Sequence, residues 1–364
     1  MKLNCFFTSY MRCLNALRCL ASLCCIVMLA SVAAHATAPS QDALLTGIRE
    51  NLKYVKRKSA SATAFSTPTH TITWKDLRIT LEDLLTTLPT LPAGADLPSS
   101  QFMLVEVTSN CLVTGYYEPL VEVSATRTQT FAYPLYRLPK EISGNRQGRR
   151  FFSRRQIDLE HALAGKGLEI AYARDPVDVF FLQVQGSGRL RFRDGHTQRL
   201  RYAGHNGWGY TSIIPAMERY GYPQDIKTTM QTMRRFLAAH PDDVPEILTA
   251  NPRYIFFQQT YGGPYGAMGV PLSPMLDVAV DPKNIALGSV LIVQGSLPDP
   301  AGGADIPFTS MALAQDTGAA IQGDRLDLFC GHGSNAATLA GLLQHPAQIY
   351  LLLSRRAPAA QSSQ

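Results

Sequence analysis

The sequence predicts a mainly β protein with flanking helices, in which one β-rich segment is interrupted by another. Three observations carry that expectation. Strand-like apolar runs begin at Phe102 (FMLVEV, CLVTGYYEPLVEV, FAYPLYRLP). They return after Asn251 (PRYIFFQ, MLDVAVD, SVLIVQG, MALAQD, RLDLFCG, IYLLL). A mixed segment with helical spacing lies between, and two amphipathic helices precede the whole. A chain that leaves a β-rich region and comes back to it implies one domain inserted into another, with a cleft between them where a ligand can bind.

The 364 residues are 46% hydrophobic and 17% charged, enough apolar chain for two domains or one elaborated domain and too little charge for a disordered one. The 27 glycines and 23 prolines follow no period, which excludes collagen-like and repeat architectures. A net charge of +6 suits an anionic polymer as partner and is too small to imply nucleic acid.

The N-terminus reads as an address. Lys2, Arg12 and Arg18 precede an apolar run from Cys19 to Ala34, closed by Ala34-His35-Ala36. Positive flank, short apolar core and small-x-small end make residues 1–36 a secretory signal peptide. An uncleaved anchor is the alternative, although the run is short of the roughly 20 residues a span needs. Arg18, Leu23 and Cys24 stand directly before Cys19, Cys24 and Cys25, so none of these cysteines makes a good lipidation site. Cleavage lowers the charge from +6 to +3 and leaves two of seven cysteines, Cys111 and Cys330. In an oxidising compartment these can bridge; two buried free thiols are the alternative.

Along the mature chain, Ser40 to Arg57 reads as a helix with Leu44, Ile48, Leu52 and Val55 on one face, and Ser59 to Thr71 as loop. Thr73 caps a second helix whose Leu77, Leu81, Leu84 and Leu88 share a face, ended by Pro89 and Pro92. After the first strands comes a polar stretch from Glu141 to Arg155 with Arg146, Arg149, Arg150, Arg154 and Arg155, either a solvated loop or an anion-binding edge. Ser153 and Gln156 form a capping box for a short helix. Strands resume with LEIAYA and with VFFLQVQGSGRLRFRDGHTQRLRYAG, where Asp194-Gly195 marks a hairpin. Two helices follow, the second carrying Ile226, Met230, Met233 and Leu237 as core. A small helix from Ala336 to Leu343 precedes the last strand, and residues 354–364 read as a disordered tail.

Nucleophile and metal patterns fail. Ser187 in Gln185-Gly186-Ser187-Gly188 has its first glycine adjacent and strand on both sides, unlike a nucleophile elbow. The eight histidines show no metal-ligand spacing, and His332 stands alone. What remains is carboxylates on apolar strands: Asp281 ending LDVAVD, Asp316 ending MALAQD, and Asp327 between Leu326 and Leu328. A buried strand aspartate costs desolvation energy, and burial raises its pKa toward the range of a general acid. Turn aspartates are the alternative for Asp281 and Asp316; for mid-strand Asp327 that alternative is weaker.

The runs DVAVDPKNIALGSVLIV and ALAQDTGAAIQGDRLDLFCG resemble the "3D" domain, named for three aspartates, here Asp281, Asp316 and Asp327. VTGYYEP (113–119), DVFFLQVQGSGRL (178–190) and YAGHNG (202–207) are similar to motifs of the MltA family, the membrane-bound lytic murein transglycosylases A. The resemblance implies a double-psi β-barrel built from both chain ends, 37–118 and 260–353, with the 3D motif over 277–330 and a β-rich domain inserted over 119–259. It implies non-hydrolytic cleavage of the β-1,4 bond between N-acetylmuramic acid and N-acetylglucosamine, leaving 1,6-anhydro ends. By motif Asp327 is the single general acid/base, Asp316 supports it, and Asp281 is structural. Thr114, Gly115 and Tyr116 would line one wall of the cleft, and Gln185, Gly186, Ser187 and Asn206 the other. No cofactor or metal is implied. The resemblance implies peptidoglycan strands as partner of a monomer located in the periplasm or on the periplasmic face of the outer membrane. A Cys111–Cys330 bridge would tie two barrel strands near the cleft.

Overall fold

The computed structural model describes residues 39–92, 94–144, 149–299, 302–357 and 360–361. The segment read as a signal peptide, Arg146 and the remainder of the tail lie outside them. The chain opens with helix α1 (Gln41–Val55), hairpin strands β1 (Thr63–Ser66) and β2 (His70–Thr73), and helix α2 (Trp74–Thr87). Strand β3 (Phe102–Glu118) follows. Beyond Pro119 come β4 (Leu120–Ser124), β5 (Tyr133–Tyr136), α3 (Arg154–Asp158), β6 (Glu169–Ala173), α4 (Pro176–Gln185), β7 (Gly188–Phe192) and β8 (Thr197–His205). Helices α5 (Ile214–Arg219), α6 (Met230–Ala239) and α7 (Val244–Thr249) lead to β9 (Ile255–Thr260). The return half holds β10 (Asp277–Val280), β11 (Val290–Leu297), β12 (Ile306–Asp316), β13 (Arg325–His332), α8 (Gly333–Leu342) and β14 (Gln344–Ser354), and β15 (Ala360–Gln361) pairs with β2.

Six strands close a barrel in the order β10-β12-β11-β14-β3-β13, drawn from both ends of the chain. A second six-stranded sheet, β5-β6-β4-β7-β8-β9, is built wholly from the segment between. This is the mainly β architecture the sequence predicts, a barrel with a β-rich unit inserted. Strand alternation turns one face of each barrel strand inward. Val113, Val278, Leu326 and Leu328, none more than 5% exposed, pack into one continuous core with Leu291, Ile349 and Leu351. Each such side chain contributes about 1.5–3 kcal/mol of burial. The intervening residues, Thr114, Ala279 and Asp327, face the other way.

Helix α1 docks on the barrel through a face rotated from the expected one: Leu45, Ile48, Asn51 and Val55 are buried, and Leu44 and Leu52 only partly. The polar Asn51 is the reason. Its Nδ2 donates to the Gly288 carbonyl at 3.1 Å, and its Oδ1 accepts from Gln315 Nε2 at 2.7 Å. The box at Thr73 closes on Asp76, and that at Ser153 on Gln156.

Several expectations are overturned. The 59–71 stretch is not loop: its alternating threonines form hairpin β1–β2, burying Phe65 and Ile72. The run Val179–Val184 is not strand but the body of α4, capped by Asp175, started by Pro176 and ended by left-handed Gly186. Leu182 and Val179 pack on the sheet while Phe180 and Phe181 pack on α5–α7, so two sides of the helix are buried and the single apolar stripe of a surface helix is absent. Three helices, not two, follow β8, and Ile226 lies outside them, exposed. The tail is ordered where Arg356 pairs with Asp83 and where β15 pairs with β2. Arg154 belongs neither to a solvated loop nor to an anion site. It is buried, donating to Gln183 Oε1 at 2.5 Å and the Arg253 carbonyl at 2.8 Å, over the Phe180 and Tyr254 rings.

Cys111 and Cys330 are free and buried. Cys330 follows Phe329, whose register partner on β3 is Tyr116, five residues from Cys111. Five strand residues span about 17 Å, well beyond the roughly 7 Å limit for bridged Cα atoms. Burial instead pushes the Cys111 thiol up to about 12.

One ion cluster holds both crossings between barrel and insert. Glu118, the last residue of β3, is fully buried. Its Oε2 lies 2.6 Å from Arg189 Nε on β7, and its Oε1 2.7 Å from Arg199 Nε on β8. Arg199 also donates to the carbonyl of Gly263, on the returning chain. Glu118→Gln removes the counter-charge and keeps the shape. The two guanidiniums retain 23–27% exposure, so the loss should be about 2–4 kcal/mol, below that of a wholly buried pair. A urea unfolding midpoint unchanged from wild type would contradict this.

Candidate active site

The site grows from strand register. On β13, Leu326 and Leu328 point into the barrel, which turns Asp327 outward, where it is partly accessible. Asp327 is in register with Thr114 of β3 on one side and Ala279 of β10 on the other. Ala279 is in turn opposite Asp316 of β12. Three neighbouring pairings therefore set Thr114, Asp327, Ala279 and Asp316 in one row, with only a methyl side chain between the acids.

Each acid has a different environment. Thr114 Oγ1 donates to Asp327 Oδ1 at 2.7 Å, and Oδ2 has no hydrogen-bond partner among the described residues. Burial pushes the Asp327 carboxyl up to about 6, against the lowering effects of the Thr114 bond and the Arg325 charge. Asp316 has a donor on each oxygen. Its Oδ2 accepts from the Tyr116 hydroxyl at 2.8 Å, and its Oδ1 from the backbone N–H groups of Ala267 and Thr317, each at 2.8 Å. Burial still raises its pKa. Burial, with Asp316 adding to it, holds Tyr116 far above its ordinary pKa, so it remains a hydroxyl donor. Its ring packs on Phe329 at 5.2 Å.

A third acid, which sequence reasoning missed, completes the cluster. Asp277 is 1% exposed, and burial pushes it up to about 7 although the Ser273 N–H bonds its Oδ2 at 2.6 Å. Its Oδ1 has no partner among the described residues. Asp277, Asp316 and Asp327 all act electrostatically on Tyr116. Asp281 stands apart: its carboxylate accepts from the Lys283 and Gly323 N–H groups at 3.0 and 2.9 Å, and these bonds hold its pKa low. The alternation Asp277, Ala279 along DVAV is the signal that could have found the third acid.

The other predicted site residues divide. Gln185, at the end of α4, accepts from the Tyr117 N–H at 2.8 Å and keeps its amide NH2 available. Gly186, in the left-handed region with φ of 77°, turns the chain so that Ser187, 9% exposed, follows beside it. Gly115 serves packing: a Cβ there would meet the Ala340 backbone of α8 at 2.8 Å. Asn206 does not reach the cleft. It is fully buried, donating to the carbonyls of Phe152 and Pro252 and accepting from the Tyr254 N–H. Arg325, also missed, sits two residues before Asp327 with its Nη2 3.5 Å from Thr114 Oγ1. Its charge acts on Tyr210 of the insert as well. Among the described residues no group of three or more His, Cys, Asp or Glu side chains could hold a metal ion.

The raised pKa of Asp277 carries a sign. Its folded pKa, about 7, exceeds the ordinary carboxyl value of 3.8, so the native state binds the proton more tightly and loses stability as pH rises from about 4 to 7. Asp277→Asn should therefore stabilise the protein at pH 8 by on the order of 1–3 kcal/mol and leave it nearly unchanged at pH 4. Thermal unfolding at the two pH values tests this, and an equal shift at both would refute it.

An acid whose pKa burial raises to about 6, beside a hydroxyl and a guanidinium, suits proton transfer to a carbohydrate oxygen. Residues 112–258 match the family described as "MltA specific insert domain", and residues 277–353 match "3D domain". The chain is 31% identical over 253 residues to membrane-bound lytic murein transglycosylase A of Vibrio cholerae, covering 68% of this chain and 67% of that protein. It is 34% identical over 247 residues to the protein of the same name from Escherichia coli K12, covering 67% of this chain and 66% of that one. Among solved structures, a membrane-bound lytic murein transglycosylase from Agrobacterium tumefaciens aligns at a TM-score of 0.69 and 32% identity, over 88% of this chain and 96% of that one. Escherichia coli MltA with bound chitohexaose aligns at 0.69 and 26% identity, over 85% and 90%. This chain belongs to the family of membrane-bound lytic murein transglycosylase A.

Proposed function

We propose that this protein is a lytic murein transglycosylase that cleaves the β-1,4 bond between N-acetylmuramic acid and N-acetylglucosamine without water, leaving 1,6-anhydro ends, with Asp327 as its single general acid/base. The observation that carries the proposal is the contrast between the two nearest acids: Asp327 has a free oxygen and a pKa near 6, and Asp316 has every oxygen engaged. Protonated Asp327 gives its proton to the glycosidic oxygen as the bond to the anomeric carbon breaks. The resulting carboxylate then takes the proton of the muramic 6-hydroxyl as that oxygen bonds to the same carbon. Proton and electron pair both balance, and no second carboxylate is needed to activate water, unlike the two-carboxylate hydrolases. Thr114 holds Asp327 in place through both steps, and Arg325 stabilises its anionic stage.

The glycan strand would lie between the barrel (37–118 and 260–353) and the insert (119–259), against Thr114, the free amide of Gln185, and Ser187. The bound chitohexaose of the Escherichia coli relative supports a saccharide in this fold. The relatives' names support a membrane-associated, periplasm-facing setting. Among the described residues no helix is long and apolar enough to cross a membrane.

Digestion of purified murein with mass identification of the released ends tests the reaction. Anhydro ends are expected from wild type, and Asp327→Asn should lower their release by about 10²–10⁴-fold, the range of one general acid/base. Ends that take up labelled water would overturn the proposal. The acid must start protonated, so kcat/KM should fall about tenfold for each pH unit above about 6. A rate still rising between pH 7 and 9 would exclude Asp327 as the proton donor.

A further inference from the structure

A second concavity, of about 680 Å³, opens on the inserted sheet away from the acid cluster. It lies along β4 and β7, where Glu122 is in register with Arg191 and Val123 with Phe192, beyond the joint where Leu120 meets Arg189. Arg174, Arg191 and Arg193 line it, and Glu122 is its one lining acid. Glu122 is shared by Arg191 at 2.7 Å and Arg174 at 3.9 Å. Arg193 has no charged partner among the described residues. Asp194 of the adjoining hairpin is turned to His196, at 2.6 Å. The groove therefore holds two positive charges beyond what it neutralises. Aromatic faces bracket them: Phe131, over which Arg174 sits at 5.1 Å, and Phe192, stacked on His196 at 4.2 Å. Thr128, Gln129 and Thr130 add hydroxyl and amide groups on the rim.

From this chemistry we infer that the groove is a binding site for an acidic peptide, whose carboxylates the arginine forks receive and whose backbone the Thr128–Thr130 rim bonds. Guanidinium groups take carboxylates in paired, charge-assisted bonds. The retained Glu122 suits a ligand that carries an amine beside its carboxylates and penalises a dense polyphosphate. A flat lipid surface meets a concave site poorly, and the volume is that of a short peptide. The peptide stems of murein, which bear free carboxylates, are the fitting occupant, so the inference rests for its biological ligand on the function proposed above. The site would then hold the stem while the strand it hangs from occupies the cleft.

Titration of the full protein with tri-glutamate, its fully amidated counterpart and anionic phospholipid vesicles tests the site directly, without cleavage. Wild type should bind tri-glutamate and not the amide. The triple variant Arg174→Gln, Arg191→Gln, Arg193→Gln should bind it about tenfold or more weakly. Arg193→Gln alone breaks no contact among the described residues and should show part of that loss with an unaltered melting temperature. Cleavage of intact murein should fall relative to peptide-free glycan strands in the triple variant, with the rate on stripped strands unchanged. Equal tri-glutamate binding by wild type and triple variant would overturn the inference, as would vesicle binding lost in the variant with no peptide binding in wild type. Failure of wild type to cleave either glycan would instead overturn the transglycosylase assignment, with the titration still deciding the groove.

Discussion

The arrangement of the molecule depends on one buried carboxylate, Glu118, at the point where the chain leaves the barrel. Two crossings join the insert to the barrel, and the two keep their relative placement only if neither crossing swivels. Glu118 ends the barrel strand, Arg189 and Arg199 come from two neighbouring strands of the insert, and Arg199 reaches the returning chain at Gly263. A second contact acts at the far side: Gln231 of α6 donates to the Ala337 carbonyl of α8 at 2.9 Å, and Lys227 to the Leu342 carbonyl at 3.1 Å, beside the negative end of that helix. Besides the two chain crossings, insert and barrel are thus bonded at two separate places.

The same physics that makes Glu118 a clamp makes the aspartates reactive. A carboxylate removed from water must gain partners or keep its proton. Glu118 gains two guanidiniums. Asp316 gains three hydrogen-bond donors, two of them backbone groups. Asp327 and Asp277 gain one each and are left with pKa values near 6 and 7. The number of partners, more than the depth of burial, sorts these acids into anchors and proton carriers.

That sorting explains what could be read from residues alone. Asp327 was legible because alternation with Leu326 and Leu328 forces it to one face of a core strand. Asp277 was not, because DVAV reads as a short apolar run with its acid at the start, where a turn is the ordinary expectation. Glu118 was hidden inside VTGYYEP, and its partners are 71 and 81 residues away, a separation no local pattern encodes. Helix α4 reads as strand for a related reason: a helix buried on two sides lacks the single apolar stripe whose period distinguishes it from a strand. Asn206 lay in a motif of polar, sugar-compatible residues, yet buried backbone groups of Phe152, Pro252 and Tyr254 claim all its bonding capacity. The two cysteines illustrate the converse, since oxidising surroundings permit a bridge and only strand register forbids this one.

Spacing by itself would leave the chemistry of the acid pair open. Asp327 and Asp316 flank Ala279 on strands two apart, which separates their Cα atoms by about 9–10 Å. An inverting hydrolase holds a water between carboxyl groups about 6.5–9.5 Å apart, a separation that side chains on such a Cα spacing could reach. A general base, however, must have a lone pair to offer, and donors from Tyr116, Ala267 and Thr317 already take three of the roughly four acceptor sites of Asp316, against one on Asp327. Freeing it would break a buried Tyr116 hydrogen bond at a cost of about 1–3 kcal/mol. The substrate's own hydroxyl carries no such cost. The three donors on Asp316 therefore favour attack by the sugar over attack by water, and Ala279, between the two acids, is buried against Tyr116, Leu272, Ile321 and Phe329.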